Sequence, residues 1–254
     1  METRTILLDQ AHGVLTITIN QPEILNALDL PQWDALTHAF EWAHADAGIR
    51  ALLITGAGRA FCAGADIRAM REQRGAAQQT ARLEQIGRAV RLLAALPKPT
   101  IAAVNGVAAG VGTSLALACD LAIAAESASF MFSWIRLGLV ADGGGSWLLT
   151  RLVGPRRAKE LILTSRRVPA AEALAWGLVN EVVADGQALE RALALAHELI
   201  AFSPHALRLD KALIDAAASA LDEQLVAESR AQAECVETEE FRAAVAAFLA
   251  RPSR

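Results

Sequence analysis

Three short runs, Ala51–Thr55, Thr100–Val104 and Leu121–Ala125, are apolar at almost every position. Each is too short for a typical helix, so each reads as a short buried strand. The segments between and beside them have helical punctuation. Pro31 opens a stretch with apolar residues at Trp33, Leu36 and Phe40 that runs to about Ala47. Asp29 before it and Gly48 after it supply the start and stop signals. Gly56 to Gly64 reads as a loop, and Ile67 to Leu96 as mostly helical, with a charged, Gln-rich break near Gly75. Pro97-Lys98-Pro99 ends that helix, because neither proline donates a backbone N–H and each biases its predecessor toward extended geometry. Gly110–Cys119 is apolar nearly all round and reads as a core helix. Thr5–Asp9 and Val14–Asn20, on either side of His12-Gly13, read as a hairpin. After Gly143 the pattern is helical almost to the end, with breaks at Gly154-Pro155, Pro169, Gly177, Asp185-Gly186 and Ser203-Pro204. Strands alternate with helices in the first half and helices dominate the second, which predicts an α/β core followed by a helical tail.

Composition narrows the function classes. A chain of 254 residues suits one large domain, or a domain with a small appendage. The formal net charge of -4 argues against a duplex-binding protein, which needs a positive face to displace counterions. The cysteines Cys62, Cys119 and Cys235 lie far apart with no Cys-x-x-Cys, so neither a disulfide framework nor a zinc site is expected. The histidines His12, His38, His44, His197 and His205 show no metal-ligand spacing, and no metal site is expected. The first residues carry Glu2 and no apolar core of a leader, and no apolar run reaches the roughly 18 residues of a membrane span. A cytoplasmic, globular protein is the expectation. Gly56-Ala57-Gly58 follows a strand but lacks the third glycine of a dinucleotide fingerprint. No Gly-Lys-Ser/Thr follows a glycine loop, and there is no Gly-x-Ser-x-Gly elbow. Ser114 lies within an apolar helix, where a hydroxyl bonded to the carbonyl one turn back is the default.

Two segments carry the chemistry. Phe61-Cys62-Ala63-Gly64-Ala65-Asp66-Ile67 follows one buried strand and opens a helix. Asn105-Gly106-Val107-Ala108-Ala109-Gly110-Val111-Gly112 follows another and opens the core helix. Small residues leave the backbone bare at both turns, and the first N–H groups of a helix have no intrahelical partner. The plain alternatives are a tight turn with Asp66 favourably placed in the first helical turn, and close helix–strand packing. Two such turns could also aim one N–H each at a shared point. That would make an oxyanion hole, in which each donor contributes roughly 3 kcal/mol to the transition state.

These blocks, with Asn26-Ala27-Leu28 after Pro22 and Cys119-Asp120 closing the core helix, resemble the enoyl-CoA hydratase/isomerase (crotonase) superfamily. Leu137-Gly138-Leu139, Arg151-Leu152-Val153-Gly154 and Ala175-Trp176-Gly177-Leu178-Val179 continue the resemblance, which spans about Thr5 to Phe248. It implies an α/β, crotonase-like spiral of ββα units over residues 1–200, and a helical C-terminal region over 201–254 that serves trimerisation. It implies a homotrimer or a dimer of trimers. The implied ligand is an acyl-CoA thioester, with CoA part of the substrate and no further cofactor. By position, the amides of Ala65 and Val111 would be the oxyanion donors. Ala63, Gly64, Asp66, Ile67 and Arg68 would line the CoA path with Leu25 and Ala27 beside them, and Gly110, Ser114, Phe132 and Trp134 would face the acyl end.

Departures from the pattern decide the expected subtype. The family often has glycine at the second donor position; Val111 keeps the N–H, but its side chain narrows the acyl approach. Family hydratases hold water between two glutamates, and here those positions are Ser114 and Trp134. Neither is a carboxylate, so ordinary hydration loses its machinery. Asp142 remains, in Leu139-Val140-Ala141-Asp142-Gly143-Gly144-Gly145, and members acting on ring-epoxidised phenylacetyl-CoA and on dienoyl-CoA have an Asp at this place. The resemblance therefore implies isomerisation with Asp142 as acid and base. The residue-level alternative is that Asp142 caps the helix after it. Trp134 with Asp142 also resembles the pair in 4-chlorobenzoyl-CoA dehalogenases, but their catalytic His aligns with Gly87, and no His occurs between His44 and His197. An enoyl-CoA hydratase with atypical water activation and a non-catalytic CoA-ester or RNA-binding relative are the remaining classes. The helix around 32–47 carries Asp34, Glu41 and Asp46 without Lys or Arg, and only Arg208 and Lys211 mark the helix after Pro204, so no nucleic-acid partner is expected.

Overall fold

The three apolar runs are interior strands of one sheet in the computed structural model, which describes residues 5–72, 75–216, 226, 229–230, 233 and 236–250. That sheet has the order β1 (Ile6–Ala11), β2 (Val14–Ile19), β3 (Ala51–Gly56), β5 (Thr100–Val104), β7 (Leu121–Ala125) and β10 (Glu181–Val183). β1 and β2 form the hairpin and pair antiparallel; every other neighbouring pair is parallel. Parallel strands need crossover connections, which cover the sheet and bury its interior strands on both faces. β3 and β5 are buried at every position, which is why their sequences show no polar alternation.

A second sheet runs β4 (Ala60–Cys62), β6 (Val107–Ala109), β8 (Ser129–Met131) and β9 (Arg167–Pro169). Its first three strands are parallel neighbours, and β9 joins antiparallel. β3, β5 and β7 are each followed after a few residues by β4, β6 and β8, so each turn of chain gives one strand to each sheet. Helices complete the turns: α2 (Ile67–Glu72) and α3 (Ala76–Ala94) after β4, α4 (Val111–Leu117) after β6. The architecture is thus the ββα spiral the resemblance implies. Two readings need correction. Residues 56–64 are not wholly loop, because β4 lies within them. The chain after Gly143 is less uniformly helical than its pattern predicts, because β9 and β10 interrupt it. Strands of three residues are too short to set up any periodicity, so nothing in their sequence announces them.

Helices pack around the main sheet. α1 (Leu30–Ala45) packs on α3, while α7 (Ala188–Ile200) lies against β3, β5 and β7. Its alanines 188, 192 and 196 are buried at one-turn spacing, which allows close approach to the strands. α5 (Gly145–Thr164) is kinked where Gly154 adopts φ 77°, directly ahead of Pro155, at the break read from the sequence. α6 (Ala170–Ala175) follows β9, and the C-terminal part contributes α8 (Pro204–Ala216) and α9 (Glu239–Leu249). The stretch from 217 to 235, with Cys235, lies largely outside the described residues. Lys211 of α8 forms an ion pair of 2.8 Å with Asp120, whose carboxylate also accepts from the Thr100 amide at 2.8 Å. No helix of the described residues is long and apolar enough to cross a membrane.

Two asparagines join the sheets. The side-chain amides of Asn26 and Asn105 both donate to the carbonyl oxygen of Ala60, at 2.7 and 3.2 Å. Asn26 is fully buried, donates also to Ala57 O at 2.9 Å and accepts from the Gln21 amide at 2.9 Å. Asn105 accepts from the Gly56 amide at 3.2 Å and donates to Gly58 O at 2.8 Å. Every polar atom in the tight connection from β3 to β4 named here therefore has a partner. Asn26→Ala removes all three bonds of that side chain. We expect a loss of about 2–4 kcal/mol of unfolding free energy. Urea unfolding followed by circular dichroism checks this.

Candidate active site

The first strand-to-helix turn begins where β4 ends at Cys62. Leu28 runs beside it and forms an isolated parallel bridge with Ala65. The Leu28 amide donates to Gly64 O at 2.7 Å, and the Asp66 amide donates to Leu28 O at 2.9 Å. In a parallel bridge the bonds come from the residues flanking the partner, so the N–H of Ala65 itself faces away from Leu28. Leu25 and Asn26 adopt left-handed φ of 55° and 59°, which bends the chain alongside this turn, and Leu25 O accepts from the Ala63 amide at 2.9 Å. Ala27 is buried. Asp66 accepts from the Arg68 amide at 2.8 Å, as its plain reading at a helix start predicts. Ile67 is half-buried and Arg68 exposed.

The second turn follows β6. Gly110 adopts φ 51° and its amide donates to Met131 O at 2.9 Å, and α4 begins at the next residue. As the first helical residue, Val111 has no intrahelical acceptor for its N–H. β4 and β6 are parallel neighbours, with Cys62 opposite Ala108, so both turns leave the sheet in the same direction. They also touch. Gly64 has φ 99°, and a Cβ there would stand 2.7 Å from Ala109 O, so only glycine fits this crossing. Among the described residues, neither the Ala65 nor the Val111 amide has a backbone acceptor outside the regular elements.

Asp142 lies beside the second turn. Its carboxylate is buried, and Oδ1 accepts from the Trp134 indole N–H at 2.8 Å. Its main-chain oxygen accepts from the Ser114 hydroxyl at 3.0 Å and from the Gly145 amide at 2.9 Å. α5 is preceded by Gly144 as its capping residue, with no side-chain cap, so the reading of Asp142 as a helix cap does not hold. Ser114 likewise departs from its default. It bonds across to the Asp142 loop, while Thr113 makes the local bond, to Gly110 O at 2.6 Å. Gly143 has φ 58° and leaves room for Val111, whose Cγ2 would lie 2.8 Å from a Cβ there. Val111, Ser114, Trp134 and Asp142 thus form one cluster. Phe132 is fully buried against it, its ring centroid 6.2 Å from that of Trp134.

Sequence reasoning found α3 as a helix but missed its place beside the site. Its buried face includes Gln79, Arg82, Leu83, Ile86 and Val90. Ile86 reaches the Asp142 loop, its Cγ2 3.6 Å from where a Gly143 Cβ would be. Arg82 is only 3% exposed. Burial lowers the affinity of its guanidinium for a proton, and the charges of Asp142, Asp29 and Asp66, in that order, oppose the effect. The available signal was an arginine in phase with an apolar stripe. A cleft between α2 and α9 is lined by Met70, Arg71, Phe241, Arg242, Val245 and Leu249. No group of His, Cys, Asp or Glu suited to a metal ion occurs among the described residues.

Comparison with known proteins matches residues 9–253 to the enoyl-CoA hydratase/isomerase family. The chain is 40% identical over 250 residues to the 1,2-epoxyphenylacetyl-CoA isomerase of Escherichia coli K12, covering 95% of this chain and 94% of that one. It is 36% identical over 252 residues to the short-chain-enoyl-CoA hydratase of Clostridium acetobutylicum, covering 98% and 96%. A crystal structure of an enoyl-CoA hydratase from Mycobacterium avium subsp. paratuberculosis K-10 superposes with a TM-score of 0.89 at 36% identity, over 96% of this chain and 95% of that one.

Cys62, one residue before the first turn, is fully buried, and burial pushes its thiol up to about 12, against a smaller opposing effect of a backbone hydrogen bond with Gly64. The thiolate is the reactive form, and a raised value keeps it protonated at neutral pH. We expect iodoacetamide at pH 8 to leave Cys62 unmodified in the folded protein and to alkylate it in urea. Peptide mass spectrometry reads both states.

Proposed function

We propose that this chain, which belongs to the enoyl-CoA hydratase/isomerase family, isomerises its acyl-CoA ester through an enolate, with Asp142 moving the proton. The observation that carries this reading is a buried carboxylate, oriented by an indole N–H at 2.8 Å, on a loop packed against the turn that bears Val111. The thioester carbonyl sits between the amides of Ala65 and Val111. Their dipoles are fixed by the two strand-to-helix turns and need no reorganisation as charge develops on the oxygen. A C–H bond next to the carbonyl breaks, its electron pair passes into the enolate, and the proton passes to Asp142. For a double-bond shift the same proton returns at a more distant carbon of the conjugated system; for a strained ring ether the enolate pair forms a C=C bond and breaks a ring C–O bond, and the proton passes to the released oxygen. Neither a metal nor a redox cofactor is required, and CoA enters as part of the substrate. Leu25, Ala27, Ala63, Gly64, Asp66, Ile67 and Arg68 lie along the CoA path. Gly110, Ser114, Phe132 and Trp134 shape the acyl end, with Ser114 acting through the Asp142 carbonyl it bonds.

The hydratase reading is favoured by relatives such as the clostridial enzyme. Against it stands the absence of any carboxylate at Ser114 and Trp134, the places where a water would be held between two bases. Asp142→Asn tests the choice. The asparagine keeps the size and can still accept the indole N–H, but it is not a base. We expect α-proton exchange of acyl-CoA esters in heavy water to fall by about 100-fold or more, with unfolding and ester binding unchanged. Exchange at the parent rate overturns the assignment. Rapid loss of the conjugated absorbance of crotonyl-CoA, undiminished in the variant, establishes hydration by another route.

The segment 201–254 is proposed as the trimerisation region. Phe202, Leu209, Ile214 and Phe248 of this segment are 61%, 41%, 69% and 47% exposed in the single chain, apolar surface that association would cover. Light scattering should give three or six times the 26.9 kDa chain mass. A monomer at micromolar concentration overturns the assembly.

A further inference from the structure

The buried face of α3 holds donors that no described residue satisfies. Arg82 Nε and Nη2 are buried without a hydrogen-bond partner, and so is Nε2 of Gln79, three residues earlier on the same helix face. Buried donors of this kind are rare, because each unmade bond leaves a desolvation cost of about 1–3 kcal/mol. Their position is specific. Ile86, one turn further along that face, packs at the Asp142 loop. The guanidinium lies in the fields of Asp142, Asp29 and Asp66. Asp29 directly follows Leu28, which bridges Ala65, so these carboxylates belong to the first turn and to the Asp142 loop. Arg82 therefore lies on the face of α3 that Ile86 brings against the Asp142 loop, buried behind the two turns.

Charge and hydrogen bonding give different answers about what belongs there. Three carboxylates already balance the one cation, so a further anion entering would meet net repulsion. What Arg82 lacks is acceptor atoms, not negative charge. Asp29 Oδ1 is also buried without a partner, and as a carboxylate oxygen it lacks a donor. A neutral hydroxyl answers both needs, accepting from the guanidinium and donating to a carboxylate.

We propose that Arg82, with Gln79, recognises an uncharged oxygen function, best a hydroxyl, carried by the acyl group at a distance from the thioester. This inference rests on the acyl-CoA reading above, and it makes Arg82 a specificity-determining residue. A plain hydrocarbon acyl chain leaves the same donors unmade, so the site discriminates against it.

The test is a binding measurement, so that it stands apart from the role of Asp142. Calorimetry compares cyclohexylacetyl-CoA with analogues hydroxylated at each ring carbon in turn, saturated esters whose binding needs no proton transfer. The parent protein should bind at least one hydroxylated ester about tenfold or more tighter than the unsubstituted one. Arg82→Met, which keeps the length and removes the donors, should erase that preference while leaving cyclohexylacetyl-CoA binding within about threefold. Gln79→Leu should reduce the preference by a smaller factor, and it decides the matter if Arg82→Met does not fold. Asp142→Asn should retain the preference. Equal affinity for all esters in the parent overturns the proposal. So does a preference that survives in the folded variants, or equal weakening of every ester in Arg82→Met, which marks a structural role.

Discussion

The carbonyl oxygen of Ala60 is the point on which the arrangement turns. Two asparagines from distant parts of the chain, Asn26 and Asn105, donate to it at once. Asn26 belongs to the bend that leads into Leu28, and Asn105 to the connection between β5 and β6. Their shared acceptor ties the start of β4 to both neighbours. With β4 in place, Cys62 pairs opposite Ala108, and the two strand-to-helix turns follow from one register. A shift of that register would separate Gly64 from Ala109 and uncouple the turns. The site thus depends less on its exposed side chains than on backbone carbonyls being satisfied out of reach of water.

Around this frame the polar side chains have divided duties. Ser114 and Gly145 both bond the main-chain oxygen of Asp142, which fixes the loop. Trp134 bonds the carboxylate, which fixes the side chain. Phe132 is buried against the indole and limits its movement. Positions that hold glutamates in family hydratases are therefore occupied here by a loop support and an orienting donor. On the proposed reading, the chemistry at this end of the site depends on how a single acid, Asp142, is aimed.

The α3 face follows a different rule from the rest of the core. Leu83, Ile86 and Val90 fill it as an amphipathic helix should, while Gln79 and Arg82 stand in the same stripe with donors unmet. A core of pure packing would be more stable with apolar residues there. Local departures of this sort concentrate where a protein meets its ligand. The carboxylates that face Arg82 come from three separate segments, at residues 29, 66 and 142, so the cation is embedded only once the whole spiral has closed.

Much of the architecture was legible in the residues. Uninterrupted apolar runs gave away β3, β5 and β7, because strands covered on both faces need no polar side. Pro97-Lys98-Pro99, Gly75 and Gly154-Pro155 marked helix limits through the backbone, a local effect that needs no tertiary knowledge. The family pattern brought Ala65, Val111 and Asp142 forward as candidates. Only the tertiary structure revealed β4, β6, β8, β9 and β10, since short strands are held by register with distant partners and not by their own periodicity. It alone showed that Asp142 takes an indole bond and leaves the cap of α5 to Gly144, a choice set by where Trp134 lands in space. It alone exposed Arg82 as a buried cation, because an arginine's surroundings are decided by the three segments that enclose it and not by its neighbours in the chain.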